Sequence, residues 1–353
     1  MKTVVAFSKT LIGALLVPAF LYSSSAHSQE TIRVSAQGGS YDVCVKDVYF
    51  DAWEKETGIK VEVTSPSYDL GVWRTQQETG KPDWDVATAD VGLLHELVKN
   101  DWVLPLDRDL ITRDGGMIDL PGLIPEIDGK IYALPSELFA TVVTYNSKTY
   151  AGETPKTWAD VFDTAKFSGK RMFSNMVVDF GVLEVALLAD GVAPKDLYPL
   201  DVDRALKKLD TIKSDILWYD FGTQQIALLQ QGDAVIGAGW DGRVRALQRD
   251  GGTVEFSPTQ AIIKPDLWVL PKGGNFEVGA KFLSFIDNPE RQAKFATCVG
   301  YGPVLRKAYD FLPADQKFTV DPNNTEGFVV WNAEYWAQNA REVTARFNEW
   351  LTR

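Results

Sequence analysis

"DAVIGAGWDGRV", residues 233–244, decides how the fold is read. Gly237, Gly239 and Gly242 spell G-x-G-x-x-G behind an apolar run with the character of a strand. A dinucleotide-binding turn has this form, but it needs a full helix after the turn and an acid about twenty residues on for the ribose. Here Gly251 and Gly252 cut the following helix short, and Glu255 comes too early. Asp241 stands inside the turn, where its charge repels a pyrophosphate. Trp240 is bulky where the backbone must approach closely. The fingerprint is rejected. What remains is an aromatic face and a carboxylate side by side at the C-terminal end of a strand, where open α/β sheets bind ligands. That pair suits an ammonium group, held by the ring face and by a charge-assisted hydrogen bond. The plain alternative makes Trp240 a core residue and Asp241 the cap of the next helix.

Outward from this stretch, strands and helices alternate. TIRVSA reads as a strand, and Tyr41, Cys44, Val45, Val48, Tyr49, Ala52 and Trp53 recur at helical spacing up to Gly58. IKVEVTS and WDVATAD read as strands, and GLLHELVKN as a helix. IYALPSELFATVVTYN gives two strand-like runs around Pro135. From Trp158 the pattern restarts with helices, short strands and an aromatic helical tail. The alternation predicts an α/β fold with a largely parallel sheet. Length, about 325 residues after the leader, favours two domains.

The first residues have the layout of a secretory signal peptide. Lys2 and Lys9 precede the apolar run Leu11 to Tyr22, and small residues place a cut after Ser28. The run is too short to span a bilayer. The chain carries 36 basic and 48 acidic residues. Residues 1–28 hold two lysines and no acid, so their loss moves the net charge from −12 to −14. Such a chain is a poor partner for nucleic acid or an anionic membrane. Cys44 and Cys298 are the only cysteines. In an oxidising compartment they form one disulfide, or else remain two buried thiols. Only His95 follows the cut, and no Cys-x-x-Cys pair exists, so neither a metal nor another cofactor is expected. Without G-x-S-x-G or a signalled triad, catalysis is not expected either.

Several stretches, in order, resemble the periplasmic substrate-binding proteins of ABC importers, in the branch that holds spermidine and putrescine binders. They are "GGSYDVCVKDVYFDAWEKETGIKVEV", "DWDVATADVGLLHELVKNDWVLPLD", "YALPSELFATVVTYNSKTY", "KTWADVF", "LLQQGDAVIGAGWDGRV", "LWVLPKGGNFEVGAKFLSFIDNPERQAKFATCVGYGPV" and "WNAEYWAQNAREV". The resemblance implies a type II, two-lobed fold, each lobe a mixed, mainly parallel sheet flanked by helices. The lobes would comprise 29–142 with about 268–312, and 143–267 with about 313–353. Strands would cross between them near Ala140 to Thr144 and Leu267 to Leu270. A monomer would close on a small cationic solute, putrescine or spermidine, and deliver it to an inner-membrane permease.

The resemblance also implies site residues. Tyr41, Trp240 and Tyr301 match aromatics that line the ligand. Asp90 matches a polar contact, though it also suits a helix cap. Asp179 falls near an acid that binds an amine, with Glu184 the competing acid, more naturally a solvated helix residue. Asp266 matches a carboxylate that grips an amine, or else sits in a solvated turn. Trp331 and Asn332 match an end wall. Glu137, between apolar runs, is added because a buried acid needs a partner. The pattern departs from the polyamine binders where Gly38, Gly92 and Lys264 replace further aromatics. Lys264 and Arg243 bring positive charge toward the same region. A cation disfavours a diamine, whereas Arg243 would fork a carboxylate. A zwitterionic or carboxylated solute, such as an amino acid or an opine-like sugar conjugate, is therefore the alternative cargo. Ferric iron is weaker still, because no adjacent tyrosine pair is present.

Overall fold

The computed structural model describes residues 30–35, 37–110, 116–120, 122–220, 222–314, 316, 318–320 and 327–353. The expected signal peptide and its cut lie outside the described residues. No helix among the described residues is long and apolar enough to cross a membrane.

Two long strands organise the fold. Ala133–Asn146 and Val254–Val269 run antiparallel along most of their length. The run around Pro135, expected as two strands, is one. A register shift between Asp266 and Leu267 leaves Ser136 as the extra residue beside Pro135. Proline cannot donate to the ladder, and a bulge is where a strand tolerates it. TVEFSPT and DLWVLPKG also join into one strand, with a second shift between Ser257 and Ile262.

Other strands attach at opposite ends of this pair. Ala87–Asp90 pairs antiparallel with Asp266–Val269. At the far end Ile236–Trp240 pairs with Thr141–Tyr145, and Arg171–Ser174 and Ile216–Tyr219 follow in parallel. Thr31–Ser35 and Lys60–Thr64 form a separate parallel pair, joined to Val86 by a bridge from Val34. The sheets are mixed, and parallel pairing is less general than strand–helix alternation suggested. The two long strands traverse the molecule in opposite directions and meet most of their neighbours head to tail.

Helices cover both ends, and their boundaries follow local chemistry. The helical stretch from Gly39 to Thr57 buries Tyr41, Cys44, Tyr49 and Trp53, and ends at Gly58 with φ 75°, a left-handed conformation that glycine tolerates best. Asn275 and Asn288 cap Phe276–Ile286 and Pro289–Val299. Thr157 and Asp160 form a capping box on Trp158–Phe162. One apolar cluster gathers Ile32, Tyr49, Trp53, Trp268 and Phe282. A larger one gathers Phe173, Val185, Ile236 and Phe347.

The three glycines of the opening stretch are packing residues. A Cβ on Gly237 would lie 2.1 Å from the Met172 carbonyl oxygen. One on Gly239 would lie 2.3 Å from Gln225, and one on Gly242 2.2 Å from the Tyr301 ring. Their spacing reflects three separate close approaches rather than a phosphate turn.

Cys44 and Cys298 are bonded, with Cα atoms 5.7 Å apart and 254 residues of sequence between them. The bond ties the first long helical segment to Pro289–Val299. Closing so long a loop restricts the unfolded chain strongly. Changing Cys44→Ser and Cys298→Ser together is expected to cost roughly 2–5 kcal/mol of stability. Thermal unfolding with and without reductant checks this. Reductant should lower the wild-type midpoint and leave the double variant unmoved.

Candidate functional site

Strand register builds the centre of the site. Asp266 pairs with Asp90 on one side and with Glu137 on the other. Three carboxylates therefore sit in one row across three adjacent strands. Two residues along the same strand, and so on the same face, Lys264 pairs with Phe139. A cleft of about 980 Å³ opens over this row. Gln37, Tyr41, Tyr68 and Asp90 line it from one side, and Asp179, Phe180, Trp240 and Arg243 from the other. Phe139, Asp266 and Tyr301 form its floor.

Like charges in a row cannot all ionise cheaply. Burial, followed by the charge of Asp90, pushes Asp266 up to about 7. Burial and then Asp266 hold Glu137 well above the usual carboxylate range, so it sits neutral beneath the floor. The Ser136 hydroxyl donates to Glu137. The buried Tyr41 hydroxyl also faces Glu137 and Ser136. Tyr68 donates to Asp266 at 3.4 Å.

Lys264 is 2% exposed and supplies the balancing charge. Its Nζ lies 2.7 Å from Asp90 and 3.4 Å from Asp179. Burial alone would lower its pKa, but Asp90 and Asp179 outweigh it and the group stays charged. Asp179 shows about a third of its side chain to the cleft. Burial raises its pKa against the pull of Lys264.

The aromatic lining is continuous. Trp240 stacks on Phe180 at 4.1 Å and meets Phe139 edge-on at 5.6 Å. Phe139 in turn touches Tyr301 at 6.0 Å. Arg243, in the first turn of helix Asp241–Arg249, reaches the cleft half-buried. Its Nε has no hydrogen-bond partner, and it makes no ion pair among the described residues.

Of the expected site residues, Tyr41, Asp90, Asp179, Trp240, Asp266 and Tyr301 come together in the cleft wall, with Glu137 directly behind. Asp90 takes the helix-cap role foreseen as its alternative, and adds an ion pair that was not foreseen. One oxygen accepts from the Gly92 N–H at 2.7 Å as a helix cap, and the other holds Lys264. Asp241 lies outside the cleft. It accepts hydrogen bonds from Ala140 N–H, Gly242 N–H and Thr319, and so pins its helix to the central strand. Trp331 and Asn332 do not line it either. Trp331 covers Lys264 from behind, with its indole N–H on the Val178 carbonyl, and Asn332 caps Ala333–Thr352. Glu184, expected in solvent, is fully buried and accepts from Tyr198 and the Trp336 indole, because its helix Val182–Ala189 is buried all round. Phe139, Phe180 and Tyr68 were missed. An aromatic next to Asp179 was the available signal for Phe180.

A family model described as bacterial extracellular solute-binding protein matches residues 48–326. The chain belongs to that family. Among relatives of this solute-binding protein, the gamma-aminobutyric acid-binding protein of Pseudomonas aeruginosa is 30% identical over 344 residues, covering 95% of this chain and 94% of the relative. The solved Atu4243-GABA receptor is 35% identical, with TM-score 0.81, over 91% of this chain and 98% of that one. AgtB from A. tumefaciens R10, solved with agropinic acid, is 28% identical, with TM-score 0.77, over 93% and 100%. The polyamine branch expected from the motifs is more distant. Spermidine/putrescine-binding periplasmic protein 1 of Haemophilus influenzae is 22% identical over 91% of each chain. The protein is thus the substrate-binding component of an ABC transporter, working with a membrane permease, and is not an enzyme.

Two outcomes follow from the buried acids. Asp241→Ala removes an acceptor of three hydrogen bonds and should cost roughly 2–4 kcal/mol in denaturant unfolding, while ligand affinity, read by calorimetry, stays within a few-fold. Glu184 is held at about 7 in the fold by burial, against 4.5 for a free carboxyl. The folded state therefore keeps a proton that the unfolded chain loses, and stability falls as pH rises from about 4.5 to about 7. Glu184→Gln should flatten that part of a melting-temperature profile.

Proposed function

We propose that the cleft captures a small zwitterion carrying one ammonium and one carboxylate, an amino acid with its amine distant from its carboxyl. The observation that carries this is Arg243, a guanidinium reaching into the cleft with no carboxylate partner among the described residues. A planar fork of donors suits a ligand carboxylate. At the floor, Asp266 offers the ammonium a carboxylate, with Tyr68 beside it and the faces of Phe139, Trp240 and Tyr301 for the chain between. Asp90 and Asp179 are already paired with Lys264. Asp266 and Arg243 together offer one anionic and one cationic contact, a pair that a zwitterion matches, and Arg341 lines the cleft as a further cation. The relatives named for gamma-aminobutyric acid support the same reading.

The size of the cleft supports a second cargo. About 980 Å³ exceeds what a four-carbon amino acid fills, and a sugar–amino acid conjugate, of the kind the agropinic acid complex suggests, would occupy more of it. For the smaller ligand, the ends of the two long strands would act as lobes that close on it, with boundaries near those expected from the sequence. Ligand contacting both walls only when closed shifts the equilibrium by its differential affinity.

Calorimetry on refolded, ligand-stripped protein tests the reading. 4-Aminobutyrate should bind with micromolar or tighter affinity, and putrescine far more weakly. Arg243→Ala should weaken 4-aminobutyrate by roughly 2–5 kcal/mol, the usual cost of losing one partner of a desolvated charge pair. Tight putrescine binding that survives Arg243→Ala would refute it.

A further inference from the structure

The pocket around Lys264 has the chemistry of an ammonium-binding site. Its Nζ sits between the carboxylates of Asp90 and Asp179, 4.4 Å from the centre of the Trp331 ring and 6.0 Å from that of Phe139. Two anions and an aromatic face are what a protein offers a ligand cation. Two of the walls are held by contacts other than the lysine. Asp90 is anchored by the Gly92 N–H, and Trp331 by the Val178 carbonyl. Gly92 has no room for a side chain, since a Cβ there would lie 2.9 Å from Asp90 and 3.2 Å from the Trp331 ring. The pocket communicates with the cleft through Asp179, which is open to it.

We propose that Lys264 is a tethered ammonium that fills a cation subsite of the cleft and thereby limits the cargo to a single amine. The cage holds two carboxylates for one cation, so removing the lysine leaves a pocket lacking a cation. A diamine that places one ammonium at Asp266 would bring its second toward this cage, which wild-type protein keeps occupied. Lys264 acts by exclusion, and its side chain need not touch the cargo. The statement about cargo rests on the zwitterion reading; the statement about the cage does not.

Lys264→Ala removes three methylenes and an ammonium, the shape of n-propylammonium. Thermal unfolding of wild type and variant is compared in n-propylammonium chloride, in tetramethylammonium chloride and in sodium chloride at equal ionic strength. The expected result is selective stabilisation of the variant by n-propylammonium, with no such effect on wild type. Calorimetry should also show putrescine affinity rising roughly tenfold or more in the variant, as relief of a like-charge contact allows. A folded variant that responds equally to all three salts, with putrescine affinity unchanged, overturns the proposal. If Lys264→Ala does not fold in any salt, the double variant Lys264→Ala with Asp179→Asn, which leaves one unpaired charge fewer, is read in the same way. Failure of wild type to bind 4-aminobutyrate would count against the zwitterion reading alone, because the salt comparison does not involve the cargo.

Discussion

A row of three carboxylates, Asp90, Asp266 and Glu137, lies across the middle of the sheet, and the rest of the site answers to it. Adjacent buried acids repel, and each loses hydration. The fold meets this in two ways. Glu137 stays protonated under the floor, and Lys264 is buried at full charge beside Asp90. Asp266 lies between them, displaced to about 7, and is the acid left for a visiting cation. A ligand ammonium would favour its ionised form. Cargo binding and the protonation of this row are therefore linked.

The row exists because of two strands. Ala133–Asn146 and Val254–Val269 each contribute to both ends of the molecule, and each carries two residues of the site. Glu137 and Phe139 alternate on one, Lys264 and Asp266 on the other. The bulge at Ser136 sets which residues face each other, and a slip of one position would turn every one of these side chains to the opposite face. Asp241 reinforces the same place by bonding the Ala140 N–H, so the helix that presents Arg243 is fixed to the strand that presents Phe139.

Much of this was legible in the sequence. The failure of the glycine fingerprint was visible from Glu255, Asp241 and Trp240 alone, and strand–helix alternation gave the α/β class. Tyr41, Asp90, Asp179, Trp240, Asp266 and Tyr301 were identified from motifs, and they meet in the cleft. Pairing was not legible. Nothing local says that Asp266 lies beside both Asp90 and Glu137, because register depends on a bulge and on strands far apart in sequence. Asp241 shows the same limit. Its place at a strand end suited ligand and helix alike, and only the position of Ala140 and Thr319 decides. Glu184 read as solvated because polar residues on helices usually are, but its helix has no exposed face. Lys264 was recognised as a departure from the polyamine pattern, while its cage of Asp90, Asp179 and Trp331 draws on three distant segments.

In the proposed reading, Arg243 and Asp266 hold the two ends of a zwitterionic cargo, and Lys264 occupies the cage of Asp90 and Asp179. A crystal structure of the protein with 4-aminobutyrate tests it most directly. The carboxylate is expected on the Arg243 guanidinium and the ammonium on Asp266, with Lys264 unmoved between Asp90 and Asp179. A ligand ammonium seated between Asp90 and Asp179 with Lys264 displaced, or a carboxylate bound away from Arg243, would contradict it.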